Sequence, residues 1–189
     1  MNIIPLFPTL IFKEKIEIPD SLVSYCLSLP EKYDSVKYSN RDGYHSPSLF
    51  RDEEFGEKVL KYVISQLPDD LPVSFGIDSA WINISNRGDY NLPHDHPGCD
   101  YAMVVYIKTP ENCGDIIFQN PCCYQLHKSL TQFTQDVRDR YNSHIAFNFK
   151  PEVGDVYIFP SHIEHSVNPN ESDETRISLS CNLSINDLQ

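Results

Sequence analysis

From about residue 72 onward the chain is a succession of short β-rich runs with almost nothing helical between them. These runs are "VSFGIDSAWINIS" (73–85), "YAMVVYIK" (101–108), "DIIFQ" (115–119), "HIAFNFKP" (144–151), "DVYIFPS" (155–161) and "RISLSCNLSI" (176–185). All are rich in β-branched and aromatic residues, and turn chemistry separates them: "NRGD", "HPGCD", "PENCGD", "PEVGD" and "NPNESDET". Such a pattern predicts antiparallel sheets stacked as a sandwich or closed as a barrel. The polar stretch 120–143 breaks the rhythm and is expected to form a loop or irregular helix over one end of the sheets, where it would cover a site.

Before residue 72 the pattern differs. "TLIFKEKIEI" (9–18) alternates in part and reads as a strand. "PDSLVSYCLSLPEKY" (19–33) spaces Leu22, Cys26 and Leu29 along one helical face. "DEEFGEKVLKYVISQL" (52–67) is the clearest helix, with Phe55, Val59, Leu60, Val63 and Leu67 on one stripe suited to packing against a sheet. With 189 residues, one domain is expected: an N-terminal strand and helices over 1–72, packing on a β core over 73–189.

Composition narrows the function classes. Apolar residues make up 40% of the chain, enough for a real core. The net charge of −12 argues against a general nucleic-acid binder, which needs clustered Lys and Arg to neutralise phosphates. The six cysteines (Cys26, Cys99, Cys113, Cys122, Cys123 and Cys181) include no CxxC pair, and neighbouring Cys122 and Cys123 are poorly placed to bridge each other. "MNIIPLFPTLIF" lacks a basic leader, a cleavage site and the length of a membrane span. A cytoplasmic protein with reduced thiols and no membrane partner is expected.

Four of the seven histidines sit at the ends of two predicted strands. In "NLPHDHPGCD" (91–100), His94 and His96 are two residues apart, so on a strand they would share a face while Asp95 points away. In "GDVYIFPSHIEHSVNP" (154–169) an apolar strand delivers His162 and His165. Strand ends in a sandwich can meet at one mouth, and imidazoles suit first-row metals, so His94, His96 and His165 are candidate ligands. His162 fits a supporting or surface position better. Arg176 opens the last strand, pointing the same way as Ser178, and offers a fork for a carboxylate. The plainer reading of Arg176 is a surface salt bridge with the acids of "ESDE".

Taken together these residues resemble the Fe(II)- and 2-oxoglutarate-dependent oxygenases, and most closely a bacterial and phage family of such oxygenases. The resemblance rests on "WIN" (81–83), Gly88, "HDHP" (94–97), "VVYI" (104–107), "GD" (114–115 and 154–155), "FPS" (159–161), His165 and "RIS" (176–178). It covers about residues 78–184, with a weaker echo in the N-terminal "PLFPTLIF". It implies a double-stranded β-helix, or jelly roll, with N-terminal helices. It also implies Fe(II) held by His94 and His165, and 2-oxoglutarate gripped by Arg176 and Ser178 with help from Tyr106 and Asn83. His96 falls where most of the superfamily keeps a carboxylate, so the third ligand is His96, Asp95 or Asp100. Asn182 is a further candidate to line the barrel. The implied reaction is hydroxylation of a small-molecule or peptide substrate with release of succinate and CO2. Nucleic acid is not the expected partner, and a homodimer is compatible with the sequence. Two rivals stand beside this reading. One is a cupin-type metal enzyme that uses Asp100 as a fourth ligand and no 2-oxoglutarate; the other is a non-catalytic jelly-roll binding module.

Overall fold

A computed structural model describes residues 8–68, 71, 74–122, 132–141 and 143–186. Residues 123–131 and 142 of the 120–143 stretch, together with Val73 and the first residues of "PLFPTLIF", lie outside the described residues. The chain enters as β1 (Phe12–Lys15), then α1 (Asp20–Ser28) with a 3-10 turn at Leu29–Glu31. Two-residue strands follow, β2 (Asn40–Arg41) and β3 (Tyr44–His45). The next helix begins as α2 (Glu53–Phe55), passes through a π turn (Gly56–Leu60) and continues as α3 (Lys61–Gln66). Asp52 caps it by accepting the Phe55 N–H at 2.8 Å, which satisfies one of the free donors at its N-terminus.

Eight strands and a short helix complete the chain: β4 (Phe75–Ser85), β5 (Tyr90–His94), β6 (Tyr101–Lys108), β7 (Ile116–Gln119), α4 (Gln135–Tyr141), β8 (Ala146–Phe149), β9 (Asp155–Pro160), β10 (His165–Val167) and β11 (Arg176–Ile185). They form a major sheet ordered β1-β9-β6-β11-β4-β3 and a minor sheet ordered β2-β5-β10-β7-β8, with every pairing antiparallel. From β4 onward the chain passes back and forth between the two sheets. That winding is the expected double-stranded β-helix.

Both faces of the major sheet are used, and the two-residue period of its strands separates them. Met103, Val105 and Ile107 of β6, Ala80, Ile82 and Ile84 of β4, and Ile177, Leu179, Cys181 and Leu183 of β11 face the N-terminal helices. There they meet Leu22, Cys26, Leu29, Phe55, Val59, Leu60 and Val63, the stripes expected from helical spacing. The alternate residues face the minor sheet, where Ala102, Val104, Tyr106, Tyr157 and Phe159 pack against Ile116 and Phe118. The barrel is therefore dry at one end, and the polar residues of β4 and β11 collect at the other. Among the described residues no helix is long and apolar enough to cross a membrane, and Cys26, Cys99, Cys113, Cys122 and Cys181 are free thiols.

Three short strands were not legible in the chain: β2, β3 and β10. Two- and three-residue strands carry too few alternations to register as a pattern, and the sheet partners alone define them. The turn before β9 joins the N-terminal segment to the barrel. Gly154 has φ +84°, its N–H donates to the Tyr106 carbonyl at 2.7 Å, and its own carbonyl accepts from the Ile16 N–H at 2.9 Å. A Cβ there would sit 2.1 Å from the Ile16 carbonyl oxygen. Gly154→Ala is therefore expected to cost about 2–4 kcal/mol, combining a left-handed backbone with a backbone clash. A lower urea midpoint at unchanged slope would record it; an unchanged midpoint would show that this turn can relax freely.

Candidate metal and diacid site

His94 and His165 are direct partners across the β5–β10 pairing, so the register of the minor sheet sets their imidazoles side by side, ring centroids 4.3 Å apart. His96 arrives differently. β5 ends at His94, and His96 lies in the following turn, held by its backbone N–H to the Ser161 carbonyl at 2.9 Å. The expected strand-face pairing of His94 and His96 is thus replaced by a turn, for which Pro97 and Gly98 (φ +96°) supply the chemistry. The three rings still converge: their candidate ligand nitrogens all lie within 4.8 Å of one another.

The hydrogen bonds fix which nitrogens are available. His94 Nδ1 donates to the Leu92 carbonyl at 2.7 Å, and His165 Nδ1 donates to the Ile163 carbonyl at 3.0 Å. Each ring is left with its Nε2 lone pair facing inward, the usual way a ligating imidazole is oriented. The Nε2 atoms of His96 and His165 are 3.3 Å apart. Two nitrogens each about 2.1 Å from one ion at right angles would be about 3 Å apart, so this pair has the spacing of neighbouring ligands. Ser39 Oγ lies 3.3 Å from His94 Nε2. Burial favours the neutral rings: His165 is pushed down to about 3 and His96 to about 4, with the charge on His94 adding to both, while burial also lowers His94. Neutral imidazole is the form that binds a metal.

The other metal candidates stand apart from this cluster. Asp95 lines the cavity from an exposed position, and its carboxylate is not among the converging ligand atoms. Asp100 is exposed and accepts the Ile185 N–H at 2.8 Å. His162 is exposed. A cupin-like fourth ligand from Asp100 has no support in this arrangement.

Beside the histidines is a cavity of about 500 Å³, within the usual range for a small-molecule site. One wall is β11, whose Arg176, Ser178, Ser180 and Asn182 point inward, with Asn83 of β4 and Tyr106 of β6 flanking Ser178 in register. Arg176 is 3% exposed, far from the surface salt bridge its neighbours in sequence suggested. Asp173 instead pairs with Arg87, and Glu174 with Lys108. The Arg176 guanidinium donates to the Cys113 carbonyl, to the Asn168 carbonyl at 3.2 Å and to Ser85 Oγ at 3.1 Å, and no carboxylate among the described residues pairs with it. Burial lowers its pKa, which measures how poorly solvated the charge is. Tyr106 lies beside it; the phenol is 1% exposed, its hydroxyl has no partner among the described residues, and burial holds it protonated. A buried cation without an acid and a buried O–H without an acceptor fit a carboxylate between them. Asn83 Nδ2 donates to Ser180 Oγ at 3.2 Å, leaving its Oδ1 without a partner. Asn182 Oδ1 lies close enough to His96 to favour that ring's charged form and has no other partner among the described residues.

Sequence reasoning missed His45 and Ser39, which also line the cavity. His45 rides on two-residue β3 and Ser39 precedes two-residue β2, so neither had a strand pattern to announce it. Trp81 was noted only as part of a motif, and its side chain lies against His96 with centroids 5.8 Å apart.

Against known families, residues 79–182, just over half of the chain, match the family described as "Putative 2OG-Fe(II) oxygenase". The chain belongs to that family. No curated protein matches the sequence. Among solved structures, the fold is similar to the epimerase SnoN in complex with Fe3+, alpha ketoglutarate and nogalamycin RO, at TM-score 0.65 and 13% identity, covering 93% of this chain and 79% of that one. HygX from Streptomyces hygroscopicus with nickel and 2-oxoglutarate bound gives 0.56 at 12% identity, covering 96% and 85%. A Pseudomonas putida prolyl-4-hydroxylase gives 0.52 at 14% identity, covering 92% and 91%. At these identities the likeness speaks for the jelly-roll fold of this oxygenase.

The buried imidazoles also predict a pH dependence in the metal-free protein. Unfolded histidine titrates near 6.5, whereas folded His96 and His165 stay neutral down to about 4 and 3. Between those values the unfolded chain binds more protons, so stability rises with pH there and is lost as pH falls. The melting temperature in a chelator should drop steadily from about pH 6.5 to about pH 4, and a His96→Asn/His165→Asn double variant should show a shallower slope. Equal slopes would mean the rings are already protonated or solvated in the fold.

Proposed function

We propose that this chain is an Fe(II)- and 2-oxoglutarate-dependent dioxygenase that hydroxylates its substrate. His94, His96 and His165 would hold the iron, and Arg176, Ser178 and Tyr106 would hold the far carboxylate of 2-oxoglutarate. The observation that carries the reading is the coexistence, in one cavity, of three converging Nε2 lone pairs and a buried arginine with no acid among the described residues. Three protein ligands on an octahedral ion leave room for a chelating diacid and dioxygen, which suits this chemistry. Together the two cofactors supply dioxygen activation coupled to oxidative decarboxylation, with succinate and CO2 released. The family match and the similarity in fold to SnoN and HygX, each solved with a metal and a 2-oxo diacid, support the assignment.

The protein's own share is positioning. The carbonyls of Cys113 and Asn168 aim the guanidinium, and Tyr106 can add an O–H to the same carboxylate. Asn83, on the neighbouring strand β4, can orient the diacid through the second proton of its Nδ2 or the substrate through its Oδ1. The apolar side chains of Val104, Ile116 and Phe159 close the deep end of the cavity, where they exclude water from the reacting centre. Three histidines give the iron one less negative charge than two histidines and a carboxylate, which shifts its redox potential. A small-molecule or peptide substrate in a reducing cytoplasm completes the proposal, consistent with the free thiols.

Calorimetry and product analysis test it. Ni2+ or Mn2+ should bind the wild type at one site and be lost in His94→Ala and His165→Ala, and 2-oxoglutarate should bind the metal-loaded protein. Tyr106→Phe, which keeps the packing, should weaken 2-oxoglutarate by about fivefold to tenfold, the worth of one hydrogen bond to a charged group. Arg176→Lys should weaken it at least as much while circular dichroism shows the fold intact. Iron-dependent succinate formation completes the assay. A protein that binds metal but shows no 2-oxoglutarate binding would overturn the reading in favour of a metal-binding jelly roll of another kind.

A further inference from the structure

The cavity has a second half that a diacid does not explain. His45 of β3 is the register partner of Asn83 and lines the same cavity. Its Nδ1 donates to the Ser46 carbonyl at 2.7 Å, so its Nε2 carries a lone pair. The ring is nearly parallel to Trp81 (centroids 5.5 Å, 13°) and tilted against Tyr38 (5.2 Å, 53°). Tyr38 is 73% exposed, so a row of aromatic faces leads from the surface through His45 and Trp81 to His96.

Unpartnered acceptors lie beside this row. Among the described residues Asn83 Oδ1 is buried without a donor, Asn182 Oδ1 has only the His96 ring beside it, and the Asp95 carboxylate at the rim forms no ion pair. Apart from the neutral imidazoles, the one cationic side chain in the lining is Arg176, which is buried and engaged on β11. A dicarboxylate brings only acceptors and cannot satisfy these groups. A ligand that carries N–H donors and positive charge does so, because a carboxylate and aromatic faces both attract cations.

We propose that the half of the cavity bounded by Tyr38, His45, Trp81 and Asp95 takes a substrate bearing a cationic nitrogen, an ammonium or guanidinium group. That chemistry is available from a free amine or from a basic side chain in a peptide. The inference rests on the proposed function, in that the histidine cluster marks the reacting centre toward which the cation is held.

Trp81 is the sole tryptophan of the chain, so its fluorescence reports on this half directly. The protein loaded with Ni2+ and 2-oxoglutarate would be titrated with L-lysine, L-arginine and the capped tripeptides acetyl-Gly-Lys-Gly-amide and acetyl-Gly-Arg-Gly-amide. Acetyl-Gly-Glu-Gly-amide and AMP serve as anionic controls. Saturable changes are expected with the cationic probes alone, and Asp95→Asn should weaken them roughly tenfold, the worth of one charge-assisted contact. Asp95 is exposed, so the substitution leaves folding unaffected, and calorimetry should show 2-oxoglutarate binding unchanged in it. Tighter binding of the free amino acids points to a small-molecule source, and tighter binding of the tripeptides to a peptide. Anionic probes that bind as well as cationic ones, indifference to Asp95→Asn, or no saturation by any probe would each overturn the inference. If 2-oxoglutarate itself fails to bind the metal-loaded wild type, the proposed function falls instead, so the two failures are distinguishable.

Discussion

The register of one strand governs this structure. β11 lies in the middle of the major sheet, paired along its length with β4 and over most of it with β6. Its odd-numbered residues, Ile177 to Leu183, are buried under the N-terminal helices, and its even-numbered residues, Arg176 to Asn182, line the cavity. A slip of one residue would drive a guanidinium and an amide into an apolar core and turn leucines toward the site. The hydrophobic burial of one face is therefore what aims the chemistry on the other. The helices, which touch no candidate ligand, hold the site in place by fixing that choice.

The minor sheet does for the metal candidates what β11 does for the diacid candidates. His94 and His165 come together because β5 and β10 pair, and His96 is added by a turn tied to Ser161. The two sets of residues thus come from different sheets and meet only across the interior. Between them Tyr157, Phe118 and Phe159 fill the apolar part of the interior, and Phe159 reaches from it to the edge of the His165 ring and the cavity wall.

Much of this could be read in the chain before the structure. The strands β4, β6, β9 and β11, six to eleven residues long, and the helical stripes through Leu22 and Val59 declared themselves, because runs of β-branched and aromatic residues and helical spacing outweigh local exceptions. The shared direction of Arg176 and Ser178 followed from strand alternation once β11 was recognised, whereas Tyr106 entered through the family resemblance. The short strands were a different matter. β2, β3 and β10 are defined by their neighbours, so no local rule marks them. His45 was hidden for that reason, whereas His96 converges with His94 as expected although β5 ends two residues before it. The burial of Arg176 was equally opaque, since the acids nearest in sequence turn out to be engaged elsewhere.

The lone guanidinium has a consequence for the folded chain as a whole. Carbonyl oxygens from two separate loops, around Cys113 and Asn168, are gathered round it, and these neutral dipoles compensate only part of what water would give. Any anion seated there would bind the native form and not the unfolded coil, so by mass action it would draw those loops tight. Ligand concentration would then set the lifetime of the protein against proteases as well as its turnover, making endurance in the cell a reporter of metabolic supply.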